Sequence, residues 1–119
     1  MANAWNGGKW IRAEKRLALH IRDGFACACC GRDLRNAGPG EIALDHLLAR
    51  SCGGNNDQTN LVTICRPCNS ARGNKPWVDF YPAGSHERVQ TLRHQPLNIE
   101  LAKALILGET GDPGVEALR

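Results

Sequence analysis

Two Cys-x-x-Cys pairs constrain the fold of this chain more than any other feature of its sequence. The four cysteines of these pairs are Cys27 and Cys30, then Cys65 and Cys68. Two close pairs of thiolates separated by a longer segment are the ligand set of a tetrahedral structural zinc site. We therefore expect Zn²⁺ to bind all four cysteines and to hold the intervening segment in place.

The other two cysteines, Cys29 and Cys52, fall outside this pattern, and we interpret both as spare thiols. Residues 1–9 are polar and contain glycine, so they do not resemble an export signal. A cytoplasmic, reducing location is expected, and there metal binding is favoured over the alternative of disulfides. No apolar run approaches the ~20 residues of a membrane span, so no membrane partner is expected.

The hydrophobic pattern predicts a small α+β protein. Apolar residues that recur at steps of three and four predict an amphipathic helix over 10–23. Short apolar runs bounded by glycine-rich loops predict strands at 41–48 and 61–64. A short helix should follow the second cysteine pair and end before Pro76.

Two further helices are predicted beyond this point, over 85–95 and 98–107. Asn98 is a suitable N-terminal cap for the second of them, and Gly108 is suited to end it. This helix is apolar on most sides, so we expect it to be buried against the rest of the chain or against a partner protein.

The charge of the chain is unevenly distributed. Residues 1–75 carry 11 Lys and Arg against 6 Asp and Glu, a net charge of +5, whereas residues 76–119 carry 4 against 6, a net charge of −2. A basic front part is typical of a surface that meets a polyanion such as nucleic acid. The cations of the first helix fit either a solvated face or a phosphate-facing one.

Polar residues lie between and just after the cysteine pairs, where a plain zinc ribbon has no need of them. In chain order they are Asp45, His46, Asn60 and Asn69. Together with the cysteine pairs, the two strands and the glycine-rich loop, this order resembles the HNH endonuclease family over roughly residues 10–76. The resemblance implies a ββα-metal (HNH) core with zinc-bound knuckles, to which the chain adds an N-terminal helix and a C-terminal helical extension.

The resemblance also implies a role for each polar residue. His46 would be the general base that deprotonates the attacking water, and Asn60 would fix the loop and orient that base. Asp45 and Asn69 would bind a single catalytic divalent cation. Asn69 stands where the family often has histidine, and an amide oxygen is a harder ligand than imidazole, so Mg²⁺ or Mn²⁺ is expected. Alternatively, Asn60 is a simple turn residue and Asn69 a helix cap.

The domain organisation that follows has four parts. They are a flexible N-terminus at 1–9, the nuclease domain at 10–76, a packed helical extension at 77–108 and a frayed tail at 109–119.

The function implied is hydrolysis of phosphodiester bonds by a metal-dependent endonuclease, with double-stranded DNA as the expected substrate. Arg50, Arg72 and Lys75 would contact phosphates. The alternative is a catalytically silent zinc-binding module that binds nucleic acid or docks on a partner protein through helix 98–107. Small proteins of this family are common in phage genomes beside packaging genes, so an accessory of a phage DNA-packaging machine, in the host cytoplasm, is one form of this alternative.

Overall fold

A computed structural model describes residues 11–108 of the chain. The flexible N-terminus predicted at 1–9 and the frayed tail predicted at 109–119 lie outside the described residues. In chain order the helices and strands are α1 (Ala13–Arg22), β1 (Ile42–His46), β2 (Leu61–Cys65), α2 (Arg66–Arg72), α3 (Trp77–Phe80), α4 (His86–Arg93) and α5 (Ile99–Leu107). The small α+β class predicted from the sequence is confirmed.

The two strands form an antiparallel hairpin in which Asp45 lies opposite Val62 and His46 lies opposite Leu61. All five residues of β2 are buried, because the strand lies between the cysteine knuckles and the helices. Two short 3-10 turns, Arg50–Cys52 and Gln58–Asn60, interrupt the long loop between the strands. The last turn of this loop leads straight into β2, and α2 follows β2 without a break.

The main core continues past residue 76. Val62 and Ile64 of β2 pack in one buried cluster with Tyr81 and Val89, which come from the helical extension. Residues 77–108 therefore supply part of the apolar interior on which the hairpin rests.

A second, smaller cluster joins the two ends of the described chain. Phe25 and Leu105 are buried together, and Leu17 and Ile21 of α1 pack against them. Asn98 caps α5 by accepting a hydrogen bond from the Leu101 amide at 3.0 Å. One face of α5 is thus covered by α1, which accounts for its apolar composition on that side.

The cations of α1 do not form one solvated or phosphate-facing surface. The side chain of Arg22 is 1% exposed and pairs with Asp23 at 2.7 Å. It also donates to the carbonyls of Gln58 and Leu61, which fixes α1 against the start of β2. Neither alternative from the sequence holds for Arg22, because tertiary contacts bury this side chain.

The longest helix in the described part of the chain has 10 residues. No helix there has the length and apolar character needed to cross a membrane.

Candidate functional site

The four cysteines of the two pairs converge in space. The sulfur atoms of Cys27, Cys30, Cys65 and Cys68 all lie within 4.8 Å of one another. The Cys30 and Cys65 sulfurs are 3.9 Å apart, too far for a disulfide bond. Tetrahedral zinc with Zn–S bonds of about 2.3 Å separates its sulfurs by about 3.8 Å, so the four thiolates fit Zn²⁺.

The knuckles attach directly to the hairpin. The amide of Cys30 donates to the sulfur of Cys27 at 3.4 Å, which closes the first knuckle. The amide of Ala28 donates to the carbonyl of Thr63 at 2.8 Å, and Arg88 of α4 donates to the Ala28 carbonyl at 2.8 Å. The first knuckle therefore contacts both the hairpin and the extension through the backbone of Ala28.

β1 ends on two polar residues that face in different directions. Successive side chains of a strand point to opposite faces. Both residues line an open cleft of about 320 Å³, but Asp45 is buried, whereas His46 is half-buried. The two side chains therefore differ in their exposure to solvent and in their partners.

A loop asparagine orients the imidazole of His46. The Nε2 atom of His46 lies 2.7 Å from the Oδ1 atom of Asn56, and Arg50 Nη1 lies 3.2 Å from the same oxygen. A guanidinium has only donors, so the oxygen of the Asn56 amide must face Arg50. Consequently Nε2 of His46 is the donor in this bond, and in the neutral ring the lone pair is on Nδ1.

Asn60 fixes the loop that carries Asn56, but its side chain bonds the loop backbone and not the imidazole. Its Oδ1 atom accepts from the Leu48 amide at 2.8 Å. Its Nδ2 atom donates to the carbonyls of Leu48 at 3.0 Å and Asn55 at 2.9 Å. The two roles expected of Asn60 are therefore divided, because it is Asn56 that contacts His46.

Close packing in this loop requires glycine at one position. A Cβ atom on Gly54 would lie 1.8 Å from the Leu48 carbonyl oxygen and 2.9 Å from Nδ2 of Asn60. These distances leave no room for a side chain, so Gly54 permits the close approach on which the Asn60 bonds depend.

Asp45 forms a buried ion pair with Arg72. The Nη1 atom of Arg72 lies 2.7 Å from both carboxylate oxygens, and each of the two side chains is 6% exposed. Arg72 also donates to the carbonyls of His46 and Leu47 at the end of β1. A buried side chain with these partners does not reach a phosphate on the surface, so the expected phosphate contact of Arg72 does not fit this arrangement.

Tyr81 from the extension completes the surroundings of Asp45. Its hydroxyl donates to Oδ2 of Asp45 at 2.6 Å. Burial, and next the charge of Asp45, raise the pKa of Tyr81 well above its usual range, so the hydroxyl keeps its proton and donates. The carboxylate is thus satisfied by one cation and one neutral donor.

Asp45, His46 and Asn69 do line one cleft, together with Arg50 and Asn74. Asn69 is exposed on α2, and Arg50 is exposed on the loop. Lys75 is exposed too, but it borders a neighbouring cleft, where its Nζ atom donates to the Ala71 carbonyl at 3.1 Å. Of the predicted phosphate contacts, only Arg50 therefore lies both exposed and beside His46.

The donor set of this cleft suits a divalent cation only in part. Among the residues that line the cleft, the sole carboxylate is Asp45, and the cations Arg50 and Arg72 outnumber it. A carboxylate has roughly four acceptor positions, and the bonds to Arg72 and Tyr81 occupy three of them. One oxygen of Asp45 and the amide oxygen of Asn69 fit Mg²⁺ or Mn²⁺ provided that an anionic substrate adds further oxygens.

Sequence reasoning did not identify Asn56, Arg72 in its buried role, or Tyr81 as parts of this site. Asn56 lies in the Gly53-Gly54-Asn55-Asn56 run, where the glycines indicate a loop but give no facing partner. A tyrosine in a proline-bounded segment indicates packing and no particular contact. Each of these contacts joins residues ten or more positions apart, so only the fold brings them together.

Comparison with known proteins finds a match to one family model. Residues 27–77 match the family model described as HNH endonuclease, which covers somewhat less than half of the chain. The match includes the four cysteines and both strands of the hairpin. No curated protein and no solved structure matches the chain.

Proposed function

We propose that this protein, whose residues 27–77 form an HNH endonuclease domain, hydrolyses phosphodiester bonds of DNA with His46 as the general base. The observation that carries the proposal is the orientation of the His46 imidazole by Asn56 at the border of an open cationic cleft. A nuclease is the function that the family match supports, and the roles of individual residues are the proposed part.

His46 would take a proton from water through Nδ1. Its Nε2 atom is engaged by Asn56, which Arg50 contacts in turn, and the side chain of Asn60 holds the carbonyl of the preceding residue, Asn55. A positioned base of this kind typically accelerates proton transfer by about 10²–10⁴-fold. The ring is held by one edge, and the opposite edge is the one available for the reaction.

Charge in the cleft favours an anionic substrate. Arg50 is exposed beside His46, and the negative charge of Asp45 is neutralised by Arg72. A phosphodiester therefore meets a net positive surface. Asp45 and Asn69 would hold the Mg²⁺ or Mn²⁺ ion, which when bound stabilises the charge that develops on the phosphate oxygens.

Because Asp45 already carries a cationic partner, the divalent ion should bind weakly until the phosphate contributes oxygens. The four-cysteine site would hold Zn²⁺ as a structural ion away from the reaction. Ni²⁺ prefers imidazole ligands, so it should support cleavage less well than Mg²⁺ at equal concentration.

The test is a nicking assay on supercoiled plasmid with zinc-loaded protein, with and without added Mg²⁺. His46→Ala should lower the rate of nicking by about 10²-fold or more, because the base is lost. Asn56→Ala should lower it less, because the base remains but is not oriented. His94→Ala is the matched control, since His94 is exposed at the end of α4 and should nick at the wild-type rate.

A wild-type protein that binds DNA but leaves the plasmid intact with Mg²⁺ would contradict an enzymatic role. Equal nicking by His46→Ala and the wild type would contradict the role of His46 alone.

The buried pair of Asp45 with Arg72 favours one second candidate, a zinc-stabilised DNA-binding module without catalysis, because it engages the only carboxylate that lines the cleft. Such a module would bind DNA but leave the plasmid intact with Mg²⁺.

A further inference from the structure

A second cleft lies beside the one that holds His46, and its walls are largely apolar. Its volume is about 240 Å³, and its apolar lining residues include Leu47, Leu48, Pro76 and Trp77. Pockets that enclose a whole small ligand usually measure about 300–1,000 Å³. A cleft of this smaller size suits one planar group of a larger molecule.

The two clefts share a wall formed by Ala49, Arg72 and Asn74. The two clefts are therefore adjacent, and a chain molecule that lies across His46 can place a neighbouring group at the second cleft. We call this second space the base cleft.

Charge at the base cleft favours a polyanion. Lys75 and Arg93 are among its lining residues, and none of its lining residues is acidic. The Nε atom of Arg93 donates to the Thr59 carbonyl at 2.7 Å, so its guanidinium is fixed in position. An apolar cleft bordered by fixed cations is the combination that single-stranded nucleic acids use, with bases against the apolar walls and phosphates against the cations.

We propose that the base cleft binds one unpaired nucleobase next to the phosphodiester that lies at His46. This rests on the proposed function, since it assumes that nucleic acid occupies the neighbouring cleft. A base inside a duplex is stacked and paired, so it must leave the stack before it enters a cleft of this kind. The preferred substrate is accordingly single-stranded or locally unpaired DNA, a narrower class than intact duplex.

The direct test measures binding by the full-length, zinc-loaded protein without Mg²⁺, so that no cleavage interferes. Fluorescence anisotropy compares a short single-stranded oligonucleotide with an abasic oligonucleotide of equal length and phosphate number. The base-containing strand should bind about tenfold more tightly, in the range expected when one base is accommodated. Equal affinities would overturn the base cleft.

Two exposed apolar residues supply a matched pair of variants. Leu48 is 52% exposed and lines the base cleft, whereas Val78 is 51% exposed and is not among its lining residues. Leu48→Ala should reduce the ratio of the two affinities several-fold, and Val78→Ala should leave it unchanged. The same reduction in both variants would contradict the proposal.

Cys52 gives a measurement that needs no substitution. Its thiol is exposed and lines the base cleft. The base-containing strand should slow the alkylation of Cys52, followed by mass spectrometry, whereas the abasic strand should leave it close to the rate without DNA. Equal protection by both strands would contradict base binding.

These measurements separate the two proposals. Plasmid nicking by a wild-type protein that binds both oligonucleotides equally would overturn the base cleft and leave the proposed function standing. Selective binding of the base-containing strand without any nicking would overturn the proposed function and support the base cleft.

Discussion

At the scale of single residues, burial separates Asp45 from His46, although they are neighbours on one strand. Both line one cleft, but the half-buried His46 contacts Asn56, whereas the buried Asp45 contacts Arg72 and Tyr81. The buried ion pair is satisfied on both sides by further bonds, so each member depends on the other. Removal of one partner would leave an unpaired charge in the interior.

Arg72→Ala is therefore expected to lower the free energy of unfolding by about 3–5 kcal/mol, because the carboxylate of Asp45 loses its cation. Arg66→Ala is the matched control in the same helix, since Arg66 is exposed, and it should change stability by no more than about 0.5 kcal/mol. Urea denaturation followed by circular dichroism measures both values. A loss of stability in Arg72→Ala no larger than about 0.5 kcal/mol would show that the ion pair contributes little to folding.

At the scale of elements, α1 fixes the position of both the hairpin and the loop. Lys15 donates to the Asn56 carbonyl at 2.5 Å, and Arg22 donates to the Gln58 carbonyl at 2.9 Å. The Nδ1 atom of the buried His20 lies 2.8 Å from the Thr63 hydroxyl oxygen in β2. The helix thus reaches the loop that orients His46 through Lys15 and Arg22, and reaches β2 through His20, in addition to its apolar contacts with α5.

His20 should make the stability of the protein depend on pH. Burial, with smaller contributions from Arg16 and Arg22, lowers the pKa of His20 from 6.5 to about 4. Between pH 6.5 and about pH 4, His20 is protonated in the unfolded chain but neutral in the folded protein. The free energy of unfolding therefore falls as the pH is lowered. From about pH 7 to pH 5.5 the loss that His20 causes should be roughly 1 kcal/mol.

The measurement is urea denaturation of wild type and His20→Gln at several pH values in this range. The difference between the two proteins cancels the acid sensitivity of the cysteine site, and the variant should show the shallower dependence. His94→Gln, which changes an exposed histidine, should keep the wild-type slope. A slope that is unchanged in His20→Gln would contradict a neutral buried imidazole.

At the scale of the whole molecule, one core joins the knuckles, the hairpin and the extension. Cys27 and Cys65 are buried in the same cluster as Val62, Tyr81 and Val89. The four-cysteine cluster therefore lies at the edge of the apolar interior, with Cys27 and Cys65 buried and Cys30 exposed. Without a bound metal ion, four thiol or thiolate groups would lie close together with nothing to hold them.

Removal of Zn²⁺ should abolish cooperative unfolding, because binding free energies of structural zinc, about 10–16 kcal/mol in small domains, contribute directly to folding. Cys68→Ser should have the same effect, whereas Cys52→Ser, which changes an exposed cysteine outside the cluster, should unfold like the wild type. Thermal unfolding by circular dichroism and a colorimetric assay of released zinc measure both. A cooperative transition in metal-free protein would show that the apolar core suffices.

The sequence by itself predicted the grouping of the four cysteines, the two strands and the capped helix α5, because these depend on local spacing, periodicity and end residues. It also predicted a resemblance to the HNH endonuclease family, whose model matches residues 27–77. The roles of His46 and Asn60 within that family remain predictions.

Only the tertiary structure decided which polar group faces which. Asn56 and not Asn60 reaches the imidazole, and Arg72 turns into the interior to pair with Asp45. The physical reason is that a buried charge must find its partner from whatever the fold brings near, however far away in sequence. The periodicity of the sequence does not indicate which polar side chains will pair. The environment of Asp45 and the cleft beside His46 therefore follow from the packing of the chain.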